Sequence, residues 1–135
     1  MPIVVVDASV VLDFAFDEGE PIETRRLMRL VDQGAWVPQH FRLEVSNAIV
    51  SRVRRGVFEA DRSAEFFDLV LRLPLHVDGE TALDAWSIGF RLANRHRLTT
   101  YDACYLALAQ RLDLPLATFD KALRAAAEAE GVALA

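Results

Sequence analysis

The amino-acid sequence predicts an α/β protein in which a central, twisted parallel sheet of four to five strands has helices on both faces. Short apolar, strand-like runs alternate with longer amphipathic segments along the chain, an order typical of βαβ units. The chain has 135 residues, of which 53% are hydrophobic. That length allows one sizeable core and leaves no room for a second domain of ordinary size, so a single domain over residues 1–135 is expected.

In the first half of the chain, an apolar run of four residues predicts an opening strand, and apolar residues at helical spacing predict the helices that follow. The predicted elements are a strand at 3–6, helices at 9–16 and 20–33, a strand at 35–37, and helices at 40–55 and 59–73. Because strands recur between helices, neighbouring strands are expected to run parallel, and ligands are expected outside their carboxyl ends.

The second half of the chain repeats this order. The predicted elements are a strand at 75–77, a long helix at 80–95, a helix at 101–112, a strand at 116–118, a helix at 121–129 and a last edge strand near 132–133. Gly131 follows an alanine-rich helix and is the residue type preferred at a helix C-terminus. The sequence shows no repeat, linker or low-complexity tract.

The charge balance limits the classes of nucleic-acid partner. The net charge is −5 at pH 7, and Lys121 is the only lysine, so nearly all cations are arginines. A protein that coats nucleic acid without sequence preference depends on basic side chains that replace counterions, and this chain does not fit that class. A nuclease with an acidic active site and local arginine clusters has the same overall balance, so that class stays open.

The chain has one cysteine and no recognisable targeting segment. Cys104 lies between Ala103 and Tyr105 in an apolar predicted helix, where a buried hydrophobic role is favoured over a nucleophilic one. Met1 and Pro2 lead directly into the first strand without a basic region or a long apolar stretch, so neither a signal peptide nor a membrane span is predicted. We expect a cytoplasmic protein.

Four carboxylates occupy equivalent places in the predicted fold. Asp7 and Asp120 follow the strands at 3–6 and 116–118, whose carboxyl ends lie at the same edge of a parallel sheet. Asp102 is on the first turn of its helix. Glu44 lies one turn into the helix after the second strand. One fold can therefore gather all four side chains at one point.

Gathered carboxylates repel one another, and this repulsion predicts a bound cation. Two carboxylates about 4 Å apart repel by about 4 kcal/mol at an effective dielectric near 20, so without a cation at least one of the four would hold a proton. A divalent cation removes that cost. Ligands that are all oxygens suit Mg²⁺, with Mn²⁺ as the alternative, and do not suit zinc, which prefers His and Cys. The pattern predicts a metal-dependent phosphodiesterase.

Each acid also has a structural explanation when it is taken alone. Asp7 and Asp120 are suitable helix N-caps. Asp102, two residues after Thr100, complements a helix dipole, and Glu44 fits a solvated helix face. The joint pattern of four acids favours the shared site over these separate roles.

Three short polar residues accompany the acids. Ser9 follows Asp7 by two positions, and Thr118 precedes the last acid by two positions, where a hydroxyl can orient a carboxylate or a metal-bound water. A turn or capping role is equally open for each hydroxyl. Asn47 shares a helix face with the helical glutamate, because three positions separate them.

The four acids lie in distinctive local sequence motifs. They read Val-Asp-Ala-Ser-Val at 6–10, Leu-Glu-Val-Ser-Asn-Ala at 43–48, Thr-Thr-Tyr-Asp-Ala-Cys-Tyr-Leu-Ala-Leu-Ala at 99–109 and Ala-Thr-Phe-Asp at 117–120. In this order and spacing they resemble the motifs of PIN-domain ribonucleases, in particular the VapC toxins of type II toxin–antitoxin pairs. The resemblance spans residues 3–132, and the Tyr-Asp-Ala-x-Tyr-x-Ala-Leu-Ala segment is its most specific part.

The resemblance implies a PIN-like three-layer fold and a set of metal-binding acids supported by hydroxyl groups. The implied acids are Asp7, Glu44, Asp102 and Asp120. The implied supporting groups are Ser9 and Thr118. Whether Asp120 binds metal directly is left open, because that position in the family often acts through water or a second metal.

The resemblance also implies an activity and partners. The implied reaction is cleavage of single-stranded or loop RNA, such as a tRNA or rRNA loop, by two-metal-ion hydrolysis that leaves 5′-phosphate and 3′-hydroxyl ends. The implied partners are an antitoxin of the VapB type and a second copy of the chain in a homodimer. The apolar run at 10–16, together with Phe58, Phe66, Phe67 and Leu71, indicates a groove for a partner's amphipathic helix, although core packing explains most of these side chains.

Arginines and histidines have open roles. Arginines close two predicted helices, at Arg52, Arg54 and Arg55 and at Arg91, Arg95 and Arg97. Either group is a candidate for contact with substrate phosphate, with Arg91 and Arg95 as the named candidates, and favourable placement at a helix C-terminus is the competing explanation. The three histidines His40, His76 and His96 share no motif, so each is expected to be a surface or core residue.

Two other functions stay open on the sequence. A catalytically silent module of the same fold could act as an RNA-binding or adaptor protein, but retention of all four acids counts against it. A phospho-acceptor receiver domain would place its acceptor after the third strand, near Asp78, and a lysine after the fifth. Lys121 directly follows Asp120 and does not match that order.

Overall fold

The computed structural model describes residues 1–17 and 19–135 and confirms the α/β fold. Within these residues, the sheet has four strands: β1 (Val4–Val6), β2 (Ala35–Val37), β3 (Leu75–Val77) and β4 (Leu116–Ala117). Their order is β3-β2-β1-β4, and each pair of neighbours is parallel. Val6 lies opposite Ala117, so the next residues, Asp7 and Thr118, leave the sheet side by side.

The helices of the described residues form two groups that both contact β1. They are α1 (Ala8–Phe16), α2 (Pro21–Val31), α3 (Phe41–Arg54), α4 (Ser63–Arg72), α5 (Thr81–Ala85), α6 (Ile88–His96), α7 (Thr100–Leu112) and α8 (Lys121–Ala129). In one group α1 packs against α2 and α3, and in the other α7 packs against α5, α6 and α8. Within the described residues, no helix has the length and apolarity that a membrane crossing requires.

β1 and α7 form the centre of the core. The residues Val4–Val6 are at most 1% exposed, and the seven consecutive residues 103–109 of α7 are at most 2% exposed. A helix that is apolar on all sides must be covered on all sides, and four of these residues are alanine or cysteine, which permit close packing. The burial of α7 fixes its first turn, and with it Asp102, relative to β1.

The predicted continuous helix at 80–95 is wrong, because the structure has α5 and α6 in its place. Between them, Ser87 has φ −135° and ψ −105°, outside the helical region, and its hydroxyl donates to the Leu83 carbonyl at 2.7 Å. A Cβ atom on Gly89 would lie 2.7 Å from the carbonyl oxygen of Asp84. The break therefore lets α6 approach α5 at a distance that only glycine permits.

Two other element boundaries also differ from the sequence predictions. The predicted last strand at 132–133 is replaced by an isolated parallel bridge between Leu116 and Leu134, so it extends the sheet by one pair only. The predicted helix at 59–73 begins as a 3₁₀ turn at Ala60–Arg62, and α4 follows it.

Cys104 is a buried thiol, as expected. It is 2% exposed, and its Sγ lies 4.0 Å from the Thr81 carbonyl oxygen. Burial, together with the nearby charges of Asp84, Asp78 and Glu44, raises the pKa of the thiol from 9.0 to about 11. The thiol is therefore un-ionised at neutral pH.

Candidate active site

Asp7 is a buried carboxylate at the carboxyl end of β1. It is 4% exposed, and its Oδ2 accepts hydrogen bonds from the hydroxyls of Ser9 and Thr118, each at 2.7 Å. Its backbone N–H donates to the Ala117 carbonyl at 2.9 Å. Asp7 occupies the N-cap position of α1, but its side chain makes no capping hydrogen bond. The capping explanation for this acid is therefore wrong.

The two hydroxyls that hold Asp7 are themselves fixed by backbone groups. Ser9 Oγ accepts the N–H of Phe119 at 3.0 Å, and Thr118 Oγ1 accepts the N–H of Asp120 at 3.1 Å. Each hydroxyl therefore accepts from the β4–α8 connection and donates to the carboxylate. This network joins the ends of β1 and β4, and it places both hydroxyl groups singled out from the sequence in direct contact with Asp7.

The pKa of Asp7 is raised from 3.8 to about 6, first because burial removes water from the carboxylate. The hydrogen bonds from Ser9 and Thr118 lower this pKa, and the negative charges of Glu44 and Asp102 raise it. Three of the four acids are therefore close enough for their charges to interact.

Asp102 and Asp120 lie at the first turns of α7 and α8. The backbone N–H of Asp102 donates to Thr99 Oγ1 at 3.1 Å, so Thr99 caps α7. Burial raises the pKa of Asp102, and the charges of Asp120 and Glu44 raise it further. Asp120 is the N-cap of α8, where Oδ1 accepts the Leu123 N–H at 2.8 Å. Its capping role is real, and its charge still reaches Asp102.

Glu44 lies on α3 between two aromatic side chains. The hydroxyl of Tyr105 donates to Glu44 Oε1 at 2.7 Å, and His40 Nε2 lies 3.2 Å from the same oxygen. His40 Nε2 is also 3.0 Å from the carbonyl oxygen of Tyr101. A carbonyl oxygen only accepts, so this contact assigns the hydrogen to Nε2. Burial and the charges of Glu44 and Asp7 raise the pKa of the Tyr105 phenol, which stays a donor.

His40 and Tyr105 are contacts of the site that the sequence reasoning missed. The sequence predicts His40 to be an ordinary surface or core residue and Tyr105 to be part of an apolar helix. Helical spacing from a named acid could have identified both residues, since His40 precedes Glu44 by four positions and Tyr105 follows Asp102 by three. Residues at these helical spacings lie on the same face.

The remaining polar candidates lie at different distances from the acids. Asn47 is exposed and lines an open cleft together with Glu44. Arg95 donates to both carboxylate oxygens of Glu130 at 3.0 Å. Glu130 directly follows α8 and lies about 15 Å along that helix from Asp120. Arg91 is exposed on α6. The structure does not bring Arg95 to the acids, and the phosphate role of both arginines stays a prediction.

The donor set suits a hard divalent cation, because the four acids offer only oxygen atoms. Among residues 1–17 and 19–135, no three His, Cys, Asp or Glu side chains already form a group spaced to hold a metal ion. One oxygen of Glu44 is bonded to Tyr105, and one of Asp120 caps α8. Burial and the charges of neighbouring acids raise the pKa of both Asp7 and Asp102, and the oxygen atoms of all four acids suit a dication. Their side chains are not arranged as a coordination sphere in the described residues.

The raised pKa of Asp7 implies a pH-dependent stability for the metal-free protein. The folded state binds this proton more tightly than the unfolded chain, whose carboxyl has a pKa near 3.8. The stabilisation from this group is therefore fully present below about pH 4 and is lost as the pH rises through about 6, by up to about 3 kcal/mol. Urea unfolding in EDTA between about pH 4 and pH 7 measures this loss in the free energy of unfolding. If the free energy of unfolding of Asp7→Asn fell with rising pH as steeply as that of the parent, Asp7 would not be the group responsible.

Comparison with known proteins identifies the family of this chain. A family model for the PIN domain matches residues 4–129. Ribonuclease VapC1 from Mycobacterium tuberculosis is 36% identical over 124 residues, which are 90% of this chain and 89% of that protein. Ribonuclease VapC3 from Pyrobaculum aerophilum is 34% identical over 84 residues, 59% of this chain and 61% of that protein, so this match spans less than two thirds of the relative.

Solved structures show the same fold at lower identity. The crystal structure of PAE2754 from Pyrobaculum aerophilum has a TM-score of 0.67 and 23% identity, covering 91% of this chain and 83% of that one. FitAcB from Neisseria gonorrhoeae has a TM-score of 0.60 and 17% identity, covering 97% and 95%. A toxin–antitoxin complex from Klebsiella pneumoniae has a TM-score of 0.54 and 18% identity, covering 87% and 86%. Because the family match runs from residue 4 to residue 129, this chain belongs to the PIN-domain family, and its curated relatives there are VapC ribonucleases.

Proposed function

We propose that this chain is a metal-dependent endoribonuclease and the toxin of a type II toxin–antitoxin pair. The observation that carries this proposal is the buried Asp7 carboxylate, whose pKa is raised by burial and by the charges of Glu44 and Asp102. Such a carboxylate is costly without a cation and favourable with one. Relatives named Ribonuclease VapC support the reaction class.

In this proposal Asp7, Glu44 and Asp102 would hold Mg²⁺ or Mn²⁺, and Asp120 would act beside Asp102. Such a dication would supply polarisation of the attacking water and positive charge against the phosphate. The chain's own groups orient the carboxylates: two hydroxyls hold Asp7, and the buried Tyr105 phenol holds Glu44. His40 Nε2 donates its hydrogen, so this nitrogen does not serve as the base.

The direct test is cleavage of total RNA and a tRNA panel by the purified chain with Mg²⁺ or Mn²⁺. We expect cleavage that EDTA abolishes and that Asp102→Asn loses. Asp113→Asn is a matched control, because Asp113 is an exposed aspartate at the opposite end of the same helix, and this variant should cleave like the parent.

Mapping the product ends tests the chemistry. If activated water attacks the phosphate, the products have 5′-phosphate and 3′-hydroxyl ends. Full cleavage by Asp102→Asn, or cleavage in EDTA, would exclude the proposed site. The acids leave the RNA target unnamed, since unpaired loops are recognised by a few scattered side chains.

An antitoxin of the VapB type and a homodimer are part of this proposal, and the toxin would act in the cytoplasm. Two adjacent hollows of about 280 Å³ each are lined by residues of α3 and α4, and Phe67 lines both. Leu71, which lines one of them, is 63% exposed. An amphipathic partner helix can bury such a surface, and a solved toxin–antitoxin complex shares this fold.

A further inference from the structure

An open cleft of about 610 Å³ lies beside Glu44, between α3 and the first turn of α7. The polar and aromatic residues that line it are His40, Glu44, Asn47, Ser51, Arg52 and Tyr101. This volume is within the range of small-ligand sites. The cleft is an extension of the acidic site, since Glu44 belongs to both.

Tyr101 presents an aromatic ring in this cleft at a fixed place. It is 63% exposed and directly precedes Asp102. Its ring lies edge-on to His40, with centroids 5.5 Å apart at 62°. His40 Nε2 contacts both the Tyr101 carbonyl oxygen and Glu44 Oε1, at 3.0 and 3.2 Å. The His40 imidazole therefore contacts both Tyr101 and Glu44.

The α3 wall of the cleft adds hydrogen-bonding groups and positive charge. Asn47 is exposed one helical turn beyond Glu44. Arg52 lies two turns beyond Glu44, and its guanidinium carbon is 4.4 Å from the centre of the Phe16 ring. Arg52 also donates to the Ala48 carbonyl at 3.3 Å. With increasing distance from Glu44, the α3 wall therefore presents the Asn47 amide and then the Arg52 guanidinium, which is held by its contacts with Phe16 and Ala48.

We propose that this cleft binds one unpaired nucleotide of the RNA next to the scissile phosphate, with the base stacked on Tyr101 and its edge bonded to Asn47. This inference rests on the proposed function, because it takes the acid beside the cleft as part of the cleavage site. Unpaired bases are recognised by stacking on aromatic rings and by hydrogen bonds to their edges. A duplex hides these faces, so the cleft selects looped or single-stranded RNA.

The test measures RNA binding without cleavage. In an Asp7→Asn background, single-stranded RNA of about 12 nucleotides, with 2-aminopurine at successive positions, is titrated in Mg²⁺. Stacking on Tyr101 quenches the fluorescence of one position. Tyr101→Ala should weaken binding by about 5- to 100-fold and remove the quenching. Tyr101→Phe keeps the ring and should retain both.

Trp86→Ala is the control for loss of an exposed aromatic ring, because Trp86 is 93% exposed and does not line the cleft. Equal binding by Tyr101→Ala and its parent overturns the inference and leaves the proposed nuclease standing. An equal loss in Trp86→Ala also overturns it, since stacking would then lie elsewhere. If the Asp7→Asn parent binds no RNA at all, the RNA function itself fails, and the inference fails with it.

Discussion

Asp7→Asn should abolish RNA cleavage and make the metal-free protein more stable. Cleavage should fall by at least about 10²- to 10³-fold, the range lost when one fixed electrostatic contributor is removed from an active site. Stability should rise because the amide has no charge to desolvate and no repulsion from Glu44 and Asp102. The gain at pH 7 is at most about 3 kcal/mol, which raises Tm by up to roughly 10 °C at this chain length.

Cleavage assays with Mg²⁺ and thermal unfolding in EDTA measure the two effects on one preparation. Opposite signs of the two effects separate this residue from one that acts only through folding. The gain should vanish near pH 4, where the carboxyl of the parent is already protonated in the folded state. Retained cleavage, or a stability loss that persists across pH, would show that Asp7 is a structural residue only.

Arg111→Ala should destabilise the fold by about 2 kcal/mol, less than the roughly 3–5 kcal/mol for a fully buried pair, because the Arg111 side chain is 29% exposed. Arg111 donates to Asp78 Oδ2 at 2.6 Å and to Asp84 Oδ2 at 3.1 Å. It is also 3.0 Å from Glu80 Oε2. The side chains of Asp78 and Asp84 are 5% and 11% exposed, so removing the guanidinium leaves two desolvated carboxylates without their counter-ion.

Denaturant unfolding of a double variant identifies the cause of this loss. Adding Asp78→Asn to Arg111→Ala should recover part of the stability, because it removes an uncompensated charge. Arg91→Ala, at an exposed arginine of α6, is the control and should change little. A loss below about 0.5 kcal/mol in Arg111→Ala would show a pair screened by solvent.

The same contacts bear on the receiver-domain alternative. Asp78, the position where a phospho-acceptor would lie, is 4% exposed and accepts hydrogen bonds from Arg111 and Thr81. A phosphoryl donor would need direct access to this carboxylate, which is covered. The PIN-domain match to residues 4–129 assigns the chain to a different family.

The sequence was sufficient to place Asp7 at the carboxyl edge of the sheet because parallel topology constrains where strands end. Once β1 and β4 are recognised as parallel neighbours, Asp7 and Thr118 must leave the sheet together, and the observed register has this arrangement. The supporting hydroxyl of Ser9 followed from its nearness in sequence. Both relations, a shared strand end and a separation of two residues, can be predicted from positions in the sequence.

The features that the sequence did not reveal depend on contacts between distant segments. The end of α5 is set by the Ser87 hydroxyl bond and by the approach of Gly89 to Asp84, while the apolar spacing over 80–95 favoured one helix. Tyr105 reads as one more core residue of α7 until α3 brings Glu44 within 2.7 Å of its hydroxyl. The spacing of residues in the sequence predicts which side chains share a helix face, but the residues that contact this face are known only from the tertiary structure.

The burial of Cys104 makes the chain convenient for site-specific chemistry. Thiol-directed reagents attack the thiolate, and a thiol that is 2% exposed with a pKa of about 11 presents almost none at neutral pH. Maleimide dyes should leave the native chain unmodified. Because the chain has no other cysteine, Asn47→Cys would give a single reporter position at the cleft without removal of the native thiol.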